Sequence, residues 1–521
     1  MPRIDRRTIV AGIAAGLVEA LASPVRAQSA AGEPPVNHFG FEDVLKRARE
    51  LAAAPFEANP PPLPEALAAL DFDAWRDIRF RRDKALLGTD GGPFRLEMFH
   101  LGHLYPRPVT IDIIHEGIAT PVPYSSALFD YGRTKIDKPL PLNLGFAGFR
   151  LLYPLNRPDV LDEVCAFLGA SYFRFLGRKQ RYGISARSLA VGAGTDGEEF
   201  PFFREFWIET PGPGAERVTI YGLLDGASVT GAYRFDLYPG SESVMEVSAT
   251  VFPRRSGAKI GIAPLTSMFF TSQNDRRFPD DFRPELHDSD GLLLHTGSGE
   301  WIWRPLRNPV GLEVSAFLDK GMQGFGLLQR DRVFEDYQDL DLAYELRPSY
   351  WIEPRGNWGD GQVELDELPT QDETNDNIVA CWVANGKTEA GKAITFAYTV
   401  TASLNLAKLS PGGRVLKTYQ TQARALGSTE VAPPGSRRFI IDFSGGDLPY
   451  YTSDPSLVSV VPTATNGTIT RSFLVPNPHI DGFRAGIDIA LPPGQSTDLR
   501  AFLKAGNRAL TETWTFPWKA P

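Results

Sequence analysis

The chain has few of the residues that a disulfide scaffold or a metal centre needs. Its 521 residues include two cysteines, Cys165 and Cys381, and seven histidines that are scattered along the sequence. Both cysteines lie in apolar surroundings, and a large core does not need a disulfide for stability. Free buried thiols are therefore favoured, and a disulfide between the two is the alternative. The histidines have no zinc-ligand spacing. We therefore expect no metal and no cofactor.

Two common catalytic signatures are also missing. The sequence has no G-x-S-x-G nucleophile elbow and no G-x-x-x-x-G-K-[ST] phosphate loop, which argues against a typical serine hydrolase and a P-loop nucleotide enzyme. The net charge is −9, and lysines and arginines form no dense cluster, so we expect no nucleic-acid partner. A neutral or anionic polysaccharide is compatible with this charge.

The first 30 residues have the features of an export signal. Arg6 and Arg7 precede a weakly apolar run from Ile9 to Leu21, and small residues suited to signal peptidase follow it. That run is too short to span a bilayer, so we expect no membrane anchor. The arginine pair favours the twin-arginine route to the periplasm. An ordinary secretory signal is the alternative, because Asp5 stands where Ser or Thr is usual.

The abundant residues predict an all-β protein. The chain has 49 glycines, 43 prolines and 33 phenylalanines, and from Pro93 onward it consists of short apolar or alternating runs between turn residues. Many such runs with few helices indicate antiparallel sandwiches. Two helices are predicted: Phe41 to Ala54, from its apolar spacing of three to four, and a short insert at Pro158 to Leu168.

The pattern changes near residues 405–425, where a Gly/Pro break interrupts the apolar runs. Beyond it, five or six short runs fill roughly 100 residues, which is the size of an immunoglobulin-like sandwich. We therefore predict a large N-terminal β-sandwich at 31–404, a linker at 405–425 and an Ig-like β-sandwich at 426–521.

Acidic and aromatic residues are concentrated in the middle third of the chain. Glycosidic cleavage needs a carboxylic acid and a second group that activates water, while sugar rings pack on aromatic side chains. The acids are Asp275, Asp280, Asp281, Glu285, Asp288 and Asp290, then Asp360, Asp372, Glu373 and Asp376. The aromatics are Trp301, Trp303, Tyr344, Tyr350, Trp351, Trp358 and Trp382. For the acids, the alternative interpretation is a solvated loop with turn-forming Asp and Asn. For each aromatic, the alternative is packing in the core.

Long motifs occur in one order between Phe39 and the C-terminus. They are RRDKALLG (81–88), GFAGFRLLYPLN (145–156), FLGASYFRFLG (167–177), RYGISARSLA (181–190), EEFPFFREFWIE (198–209), TSMFFTSQND (266–275), RPELHDSDGL (283–292), GEWIWRPL (299–306) and LPTQDETNDNIVACW (368–382). In these motifs the chain resembles the periplasmic glucan biosynthesis proteins G and D, which osmoregulated periplasmic glucans of Gram-negative bacteria require. The export signal favours the D type. The resemblance implies a galactose mutarotase-like sandwich joined to a small Ig-like one.

The resemblance also implies roles for particular residues. Members of the family act as inverting β-1,2-glucanases, and their motifs place the general acid at Asp376, the general base at Asp288 and a proton-relay residue at Tyr344. We expect Glu373 and Asp290 to support them, Glu373 by raising the pKa of Asp376. The joint occurrence of acids and aromatics, rather than the resemblance, gives the substrate-binding candidates, which are Trp301, Trp303, Tyr350, Trp351, Trp358 and Arg304.

The resemblance therefore implies a periplasmic enzyme that cleaves or rearranges β-1,2-glucan by an inverting mechanism, either a hydrolase or a transglycosylase. A non-catalytic glucan-binding or scaffolding protein is the alternative, and retention of all three catalytic residue types favours the enzyme. Product length, glucan substituents and the oligomeric state, a homodimer included, stay open. We expect Asp376→Asn and Asp288→Asn each to lower turnover by about 10² or more, and Asp366→Asn to be nearly neutral.

Overall fold

Strands make up most of the structure, a computed structural model that describes residues 38–521 except 60, 61, 89, 90, 137, 278, 279, 406–408, 425, 426, 428 and 430. The predicted export signal lies outside the described residues. Within them, no helix has both the length and the apolar character needed to cross a membrane. The all-β class predicted from the sequence is confirmed.

Helices are short, apart from the first. They are α1 (Phe41–Ala53), α2 (Glu65–Ala68), α3 (Phe72–Asp77), α4 (Phe334–Tyr337) and α5 (Leu448–Tyr451), with 3-10 turns at Arg82–Lys84, Ser126–Leu128, Tyr344–Leu346 and Pro455–Leu457. The strands up to the middle of the chain are β1 (Arg79–Phe80), β2 (Arg95–Phe99), β3 (Thr110–His115), β4 (Ile118–Pro121), β5 (Phe129–Asp130), β6 (Gly148–Arg157), β7 (Val160–Leu168), β8 (Tyr172–Phe175), β9 (Ser185–Arg187), β10 (Leu189–Val191), β11 (Phe202–Glu209), β12 (Val218–Asp225), β13 (Val229–Tyr238), β14 (Ser243–Pro253), β15 (Ile260–Ser267), β16 (Phe269–Thr271) and β17 (Leu286–His287). The remaining strands are β18 (Gly291–His295), β19 (Trp301–Pro305), β20 (Glu313–Lys320), β21 (Gly324–Leu328), β22 (Ser349–Arg355), β23 (Asp360–Glu367), β24 (Ile378–Ala384), β25 (Ile394–Ser403), β26 (Arg414–Thr421), β27 (Ser436–Ser444), β28 (Val458–Ala464), β29 (Thr468–Asn477), β30 (Gly482–Ala490), β31 (Ser496–Ala505), β32 (Arg508–Ala509) and β33 (Thr513–Lys519).

Two large sheets run through the protein. The first has ten strands, in the order β2-β6-β7-β8-β9-β15-β24-β23-β20 with β10 paired to β15. The second has fifteen, in the order β28-β31-β33-β19-β18-β21-β22-β25-β14-β13-β12-β11-β3-β4 with β32 paired to β31. The described strands also form a four-stranded sheet, β26-β27-β30-β29, and the pairs β1-β5 and β16-β17.

Phenylalanines join the two large sheets into a sandwich. Phe167 on β7 contacts Phe206 on β11 and Phe235 on β13, with ring centroids 5.3 and 5.1 Å apart. All three rings are buried. Successive side chains of a strand point to opposite faces, so every second residue can contribute to this core. Each such ring stabilises the fold by about 1.5–3 kcal/mol through burial alone.

The C-terminal strands enclose a second core. Phe439, Trp514 and Phe516 pack there together with Trp303 and Trp351, which come from β19 and β22. β33 also pairs with β19 in parallel, so the fifteen-stranded sheet continues into the C-terminal segment. Aromatic residues of the middle third therefore form the surface on which the C-terminal strands pack.

Residues 39–521 form one compact unit. The sequence-based boundaries at 31–404, 405–425 and 426–521 stay a prediction. Cys165 and Cys381 are both buried and free, as the apolar surroundings of each favour.

One of the two predicted helices forms. The prediction for Phe41 to Ala54 is confirmed by α1, but the prediction for residues 158–168 is wrong, because this segment is strand β7. β7 pairs along its length with β6, and the side chains of Arg157 and Asp159 bond across the turn between them. Pairing with a neighbouring strand overrides the helical spacing of Val160 and Val164.

Candidate active site

Strand β16 joins the two segments that carry the predicted acid and base. Asp288 follows β17, which pairs with β16, and its backbone N–H donates to the carbonyl of Met268 at 2.8 Å. Asn377, next to Asp376, accepts from the N–H of Phe269 at 2.8 Å and donates to its carbonyl at 3.0 Å. β16 therefore anchors both segments, although 88 residues separate the two aspartates.

Polar side chains shape the loop that carries Asp376. Asn308 holds Thr370 through both backbone groups, each at 3.0 Å. Asp372 Oδ1 accepts from the N–H of Thr374 at 2.8 Å. The alternative interpretation, a loop with turn-forming Asp, thus describes Asp372, while Asp376 has a different environment.

Asp376 borders a groove of about 460 Å³ whose lining includes Tyr105, Tyr172 and Arg174. The residue keeps an exposed surface toward solvent while protein surrounds its other sides. This burial raises the pKa of the Asp376 carboxyl; Arg174 opposes the rise and the charge of Asp288 adds to it. A carboxyl group that tends to keep its proton and faces a groove can serve as a general acid.

Asp288 is buried and paired with Arg347. A guanidinium nitrogen of Arg347 forms a close ion pair with Asp288 Oδ1. The same guanidinium lies 3.6 Å from the centroid of the Tyr344 ring. Burial lowers the pKa of the Arg347 guanidinium, but the Asp288 carboxylate raises it. The pKa of Arg347 therefore lies above the ordinary value for arginine. One 3-10 turn therefore positions Tyr344 and the partner of Asp288.

The Tyr344 hydroxyl donates to Glu373 Oε2 at 2.5 Å. Burial raises the pKa of Tyr344, the Arg347 charge opposes this, and the bond to Glu373 adds to it. A hydroxyl has one proton, and here that proton points to Glu373. Tyr344 is the residue for which the resemblance implies a proton relay, and in the structure its contact with Asp288 runs through Arg347, which touches both.

Glu373 is bound by Arg283 through both carboxylate oxygens, at 2.8 and 2.9 Å. We expected Glu373 to raise the pKa of Asp376. The carboxylate that does so in the structure is Asp288, since Arg283 offsets the charge of Glu373. Glu373 supports the site by a different contact, as the acceptor for a hydroxyl.

A second cavity of about 360 Å³ adjoins the groove. The two share Tyr105 and Tyr172, and the second extends to Phe200 and Arg107. The Phe200 side chain is 52% exposed, and Arg107 lies 3.8 Å from the centroid of the Phe202 ring. Exposed aromatic faces beside polar side chains are suited to sugar rings.

Three of the predicted substrate-binding tryptophans lie in or against the second core. Trp303 and Trp351 are each 3% exposed there, and Trp301 packs on Trp351 with ring centroids 5.7 Å apart. Arg304, also proposed to bind substrate, is buried and pairs with Glu367 at 2.7 Å. These side chains stabilise packing and have no free face toward the groove.

The other two predicted substrate-binding aromatics also pack inside the protein. Tyr350 is buried, stacks on Phe175 at 4.8 Å and donates to the carbonyl of that residue at 2.7 Å. Trp358 is half-buried and packs on Trp382 at 6.2 Å. None of the six predicted substrate-binding side chains lines either cavity.

Asp290 lies behind the site. Its Oδ2 accepts from the backbone N–H groups of Arg330 and Asp331, at 2.7 and 2.9 Å. The Arg330 guanidinium lies 3.6 Å from the Trp303 ring centroid and pairs with Glu512 at 2.5 Å. Asp290 therefore supports the contact between the site and the C-terminal strands.

Among the described residues, one trio has the spacing of metal ligands. Glu285, His287 and Asp331 present ligand atoms within 4.8 Å of one another. In the structure His287 Nε2 lies 2.9 Å from Glu285, its Nδ1 lies 2.8 Å from Gln329, and the Lys417 ammonium lies 3.6 Å from Asp331. These contacts satisfy the trio as a buried ion network.

Sequence reasoning missed the arginines and the groove. Arg283 and Arg347 lie in or near the recognised motifs, and the signal for them was chemical, because a buried carboxylate needs a cationic partner. Tyr105, Tyr172 and Phe200 come from the first 200 residues, outside the acid-rich third. Nothing in their local sequence separates them from core aromatics.

The described chain matches a known family along almost its whole length. The matching family model is described as "Periplasmic glucan biosynthesis protein, MdoG" and covers residues 39–518. The chain is 43% identical over 496 residues to a Shewanella oneidensis protein named "Probable glucans biosynthesis protein D", covering 94% of this chain and 91% of that protein. It is 43% identical over 486 residues to "Glucans biosynthesis protein G" of Ralstonia nicotianae, covering 92% of this chain and 95% of that protein. The chain belongs to the periplasmic glucan biosynthesis protein family.

Proposed function

We propose that this protein cleaves or rearranges β-1,2-glucan in the periplasm, with Asp376 as the general acid. Membership of the family supports a role in glucan biosynthesis. The observation that carries the enzymatic part is the position of Asp376: a carboxyl group with a raised pKa, open to a groove and within electrostatic reach of Asp288. Binding alone does not require an acid of this kind at that place.

In the proposed reaction the Asp376 carboxyl gives its proton to the glycosidic oxygen as the bond from that oxygen to the anomeric carbon breaks. Water attacks the opposite face of the sugar and forms the new carbon–oxygen bond. The Tyr344 oxygen accepts the water's proton, and the Tyr344 hydroxyl, turning away from Glu373, gives its own proton to Asp288, the proposed base. Solvent then reprotonates Asp376 and takes the proton from Asp288. In transfer, a glucan hydroxyl replaces the water.

The groove supplies the binding surface in this proposal. Tyr105, Tyr172 and Phe200 present rings to the sugars, and Arg107 and Arg174 present donors to their hydroxyls. Because the two cavities share a wall, a chain of several glucose units can extend away from Asp376. The protein then acts within a chain rather than on a free monosaccharide.

A non-catalytic glucan-binding protein is the second candidate. The observation that favours it is the burial of Asp288 in an ion pair with Arg347, since such a pair also suits a purely structural role. The two candidates differ in whether bound glucan changes length.

The test is incubation of purified protein with linear β-1,2-glucan, followed by product sizing and a reducing-end assay. A rise in reducing ends indicates hydrolysis, and redistributed or cyclised chains without that rise indicate transfer. Asp376→Asn in the same assay is the matched control and should leave the glucan unchanged. Glucan that binds to the wild type and keeps its length would contradict the enzymatic proposal and favour the scaffold.

A further inference from the structure

Arg283 binds three carboxylates beside the candidate active site. Its Nε and Nη2 contact Asp281 at 3.0 and 2.7 Å, and its Nη1 contacts Asp339 at 2.9 Å. Nη1 and Nη2 also bind the two oxygens of Glu373, at 2.9 and 2.8 Å. All five N–H groups of the guanidinium are therefore engaged, and the side chain is 12% exposed.

Glu373 links Arg283 to Tyr344. The Tyr344 ring packs against Arg347, whose guanidinium carbon lies 3.6 Å from the ring centroid, and against Tyr337, whose ring centroid is 5.7 Å away. These contacts fix the ring and leave the direction of the hydroxyl proton to its acceptor. That acceptor is Glu373, at 2.5 Å, and the bidentate contact with Arg283 fixes its orientation.

Asp339 gives Arg283 a second connection to Tyr344. Asp339 Oδ1 accepts from the N–H groups of Asp341 and Leu342, at 3.0 and 2.8 Å. Its backbone carbonyl accepts from the N–H of Ala343, which precedes Tyr344 and has a φ of 46°. A non-glycine residue in this left-handed region needs support from its surroundings. Arg283 thus holds the loop that leads into the Tyr344 turn.

We propose that Arg283 is a positioning residue for Tyr344. Before the reaction it fixes Glu373 as the acceptor of the Tyr344 hydrogen bond and holds the loop that precedes Tyr344, so that the lone pairs of the hydroxyl are directed toward the reacting water. This inference rests on the proposed function. Arg283 acts through Glu373 and Asp339 and does not itself touch the glucan.

The activity test is a double-mutant cycle on linear β-1,2-glucan. We expect Arg283→Gln to lower kcat by about 10–100-fold with KM within about threefold, as for other residues that orient a reacting group. In a Tyr344→Phe background the same change should cost less than about twofold, because there is no hydroxyl left to position. Arg283→Lys should restore only part of kcat, since an ammonium cannot bind both oxygens of a carboxylate in a fork.

The control is an arginine in an equally buried pair far from the groove. Arg438 binds Asp488 through two nitrogens, at 2.6 and 2.7 Å, and its side chain is 9% exposed. Arg438→Gln should lower thermal stability and keep kcat. If the losses from Arg283→Gln and Tyr344→Phe multiply, or if Arg438→Gln lowers kcat as much as Arg283→Gln does, the inference is overturned.

A second measurement does not depend on turnover. In protein labelled with [13Cζ]tyrosine, the Tyr344 signal is the one missing from Tyr344→Phe. We expect it to shift in Arg283→Gln and to stay in place in Arg438→Gln. The wild type could show no turnover while the Tyr344 signal still shifts in Arg283→Gln. That result would refute the proposed function but support the positioning of Tyr344 by Arg283. An active wild type whose signal does not shift in that variant overturns the inference.

Discussion

Asp366 and Asp376 lie ten residues apart in sequence, and burial raises the pKa of both carboxyls, but their surroundings differ. Asp376 faces the groove, with Arg174 and Asp288 within electrostatic reach. Asp366 is 1% exposed, and neither of its oxygens has a hydrogen-bond partner among the described residues. A raised pKa is therefore common to both carboxyls, and access to a groove distinguishes the candidate catalyst.

A glycine loop closes over Asp366. Gly194 has a φ of +72°, and a Cβ at that position would lie 2.7 Å from Asp366 Oδ1. Burial raises the pKa of Asp366 to about 7, the charge of Glu364 adds to the rise, and Lys259 opposes it. Because Asp366 is buried and lines neither cavity, we assign it no chemical role.

The largest expected effect concerns Asp288, whose charge acts on Asp376. Asp288→Asn removes the proposed base, and we expect glucan turnover to fall by about 10² to 10⁴. The same change removes a charge that raises the pKa of Asp376, so that pKa should fall, which NMR of the carboxyl carbon can follow. Turnover within tenfold of wild type would show that Asp288 is not the base.

The next effect concerns the pH dependence of the free energy of unfolding that Asp366 causes. Its pKa is about 7 in the folded protein against 3.8 ordinarily, so between these values the folded state holds a proton that the unfolded state has lost. The stability of the wild type should therefore fall as the pH rises toward 7 and then level off. Asn cannot ionise, so the stability of Asp366→Asn relative to wild type should rise by up to about 3 kcal/mol between pH 5 and pH 8.

Urea unfolding at pH 5 and pH 8 measures this difference. Glu389→Gln, at an exposed position, is the control and should leave the pH profile unchanged. Parallel profiles for Asp366→Asn and wild type would mean that Asp366 is ionised or solvated in the folded protein.

The smallest effect concerns the groove. Phe200→Ala removes an exposed ring from the wall of the second cavity, and we expect KM for long glucans to rise about fivefold with kcat almost unchanged. Phe72→Ala is the control, because Phe72 is 53% exposed and lines neither cavity. Equal KM values for the two variants would remove Phe200 from the binding surface.

Much of the fold could be predicted because burial patterns are local. Two of the short apolar or alternating runs that follow Pro93, Val244 to Phe252 and Gly482 to Ala490, lie within β14 and β30, in agreement with the all-β prediction. The segment at 158–168 could not be predicted in the same way, since β6 decides its conformation. Local spacing is informative only until a neighbouring strand competes with it.

The same distinction between local and non-local information applies to the residues of the candidate active site. Asp376, Asp288 and Tyr344 stand in recognisable motifs, whereas the partners Arg283 and Arg347 become evident only once the loops meet. Trp303 and Trp351 were predicted to bind sugar because they lie among the acids in sequence. They instead form the surface on which the C-terminal strands pack, and no local pattern distinguishes such a surface from a binding groove.

The central claim is that access to the groove makes Asp376 the acid, and the matched pair Asp376→Asn and Asp366→Asn tests it most directly. Both changes replace a carboxyl with a raised pKa by an amide of nearly the same shape, ten residues apart, and only Asp376 lines the groove. With turnover of linear β-1,2-glucan as the readout, we expect Asp376→Asn to lose about 10² or more with glucan binding retained, and Asp366→Asn to stay within about twofold of wild type. Wild-type turnover in Asp376→Asn, or an equal loss in both variants, would contradict this account.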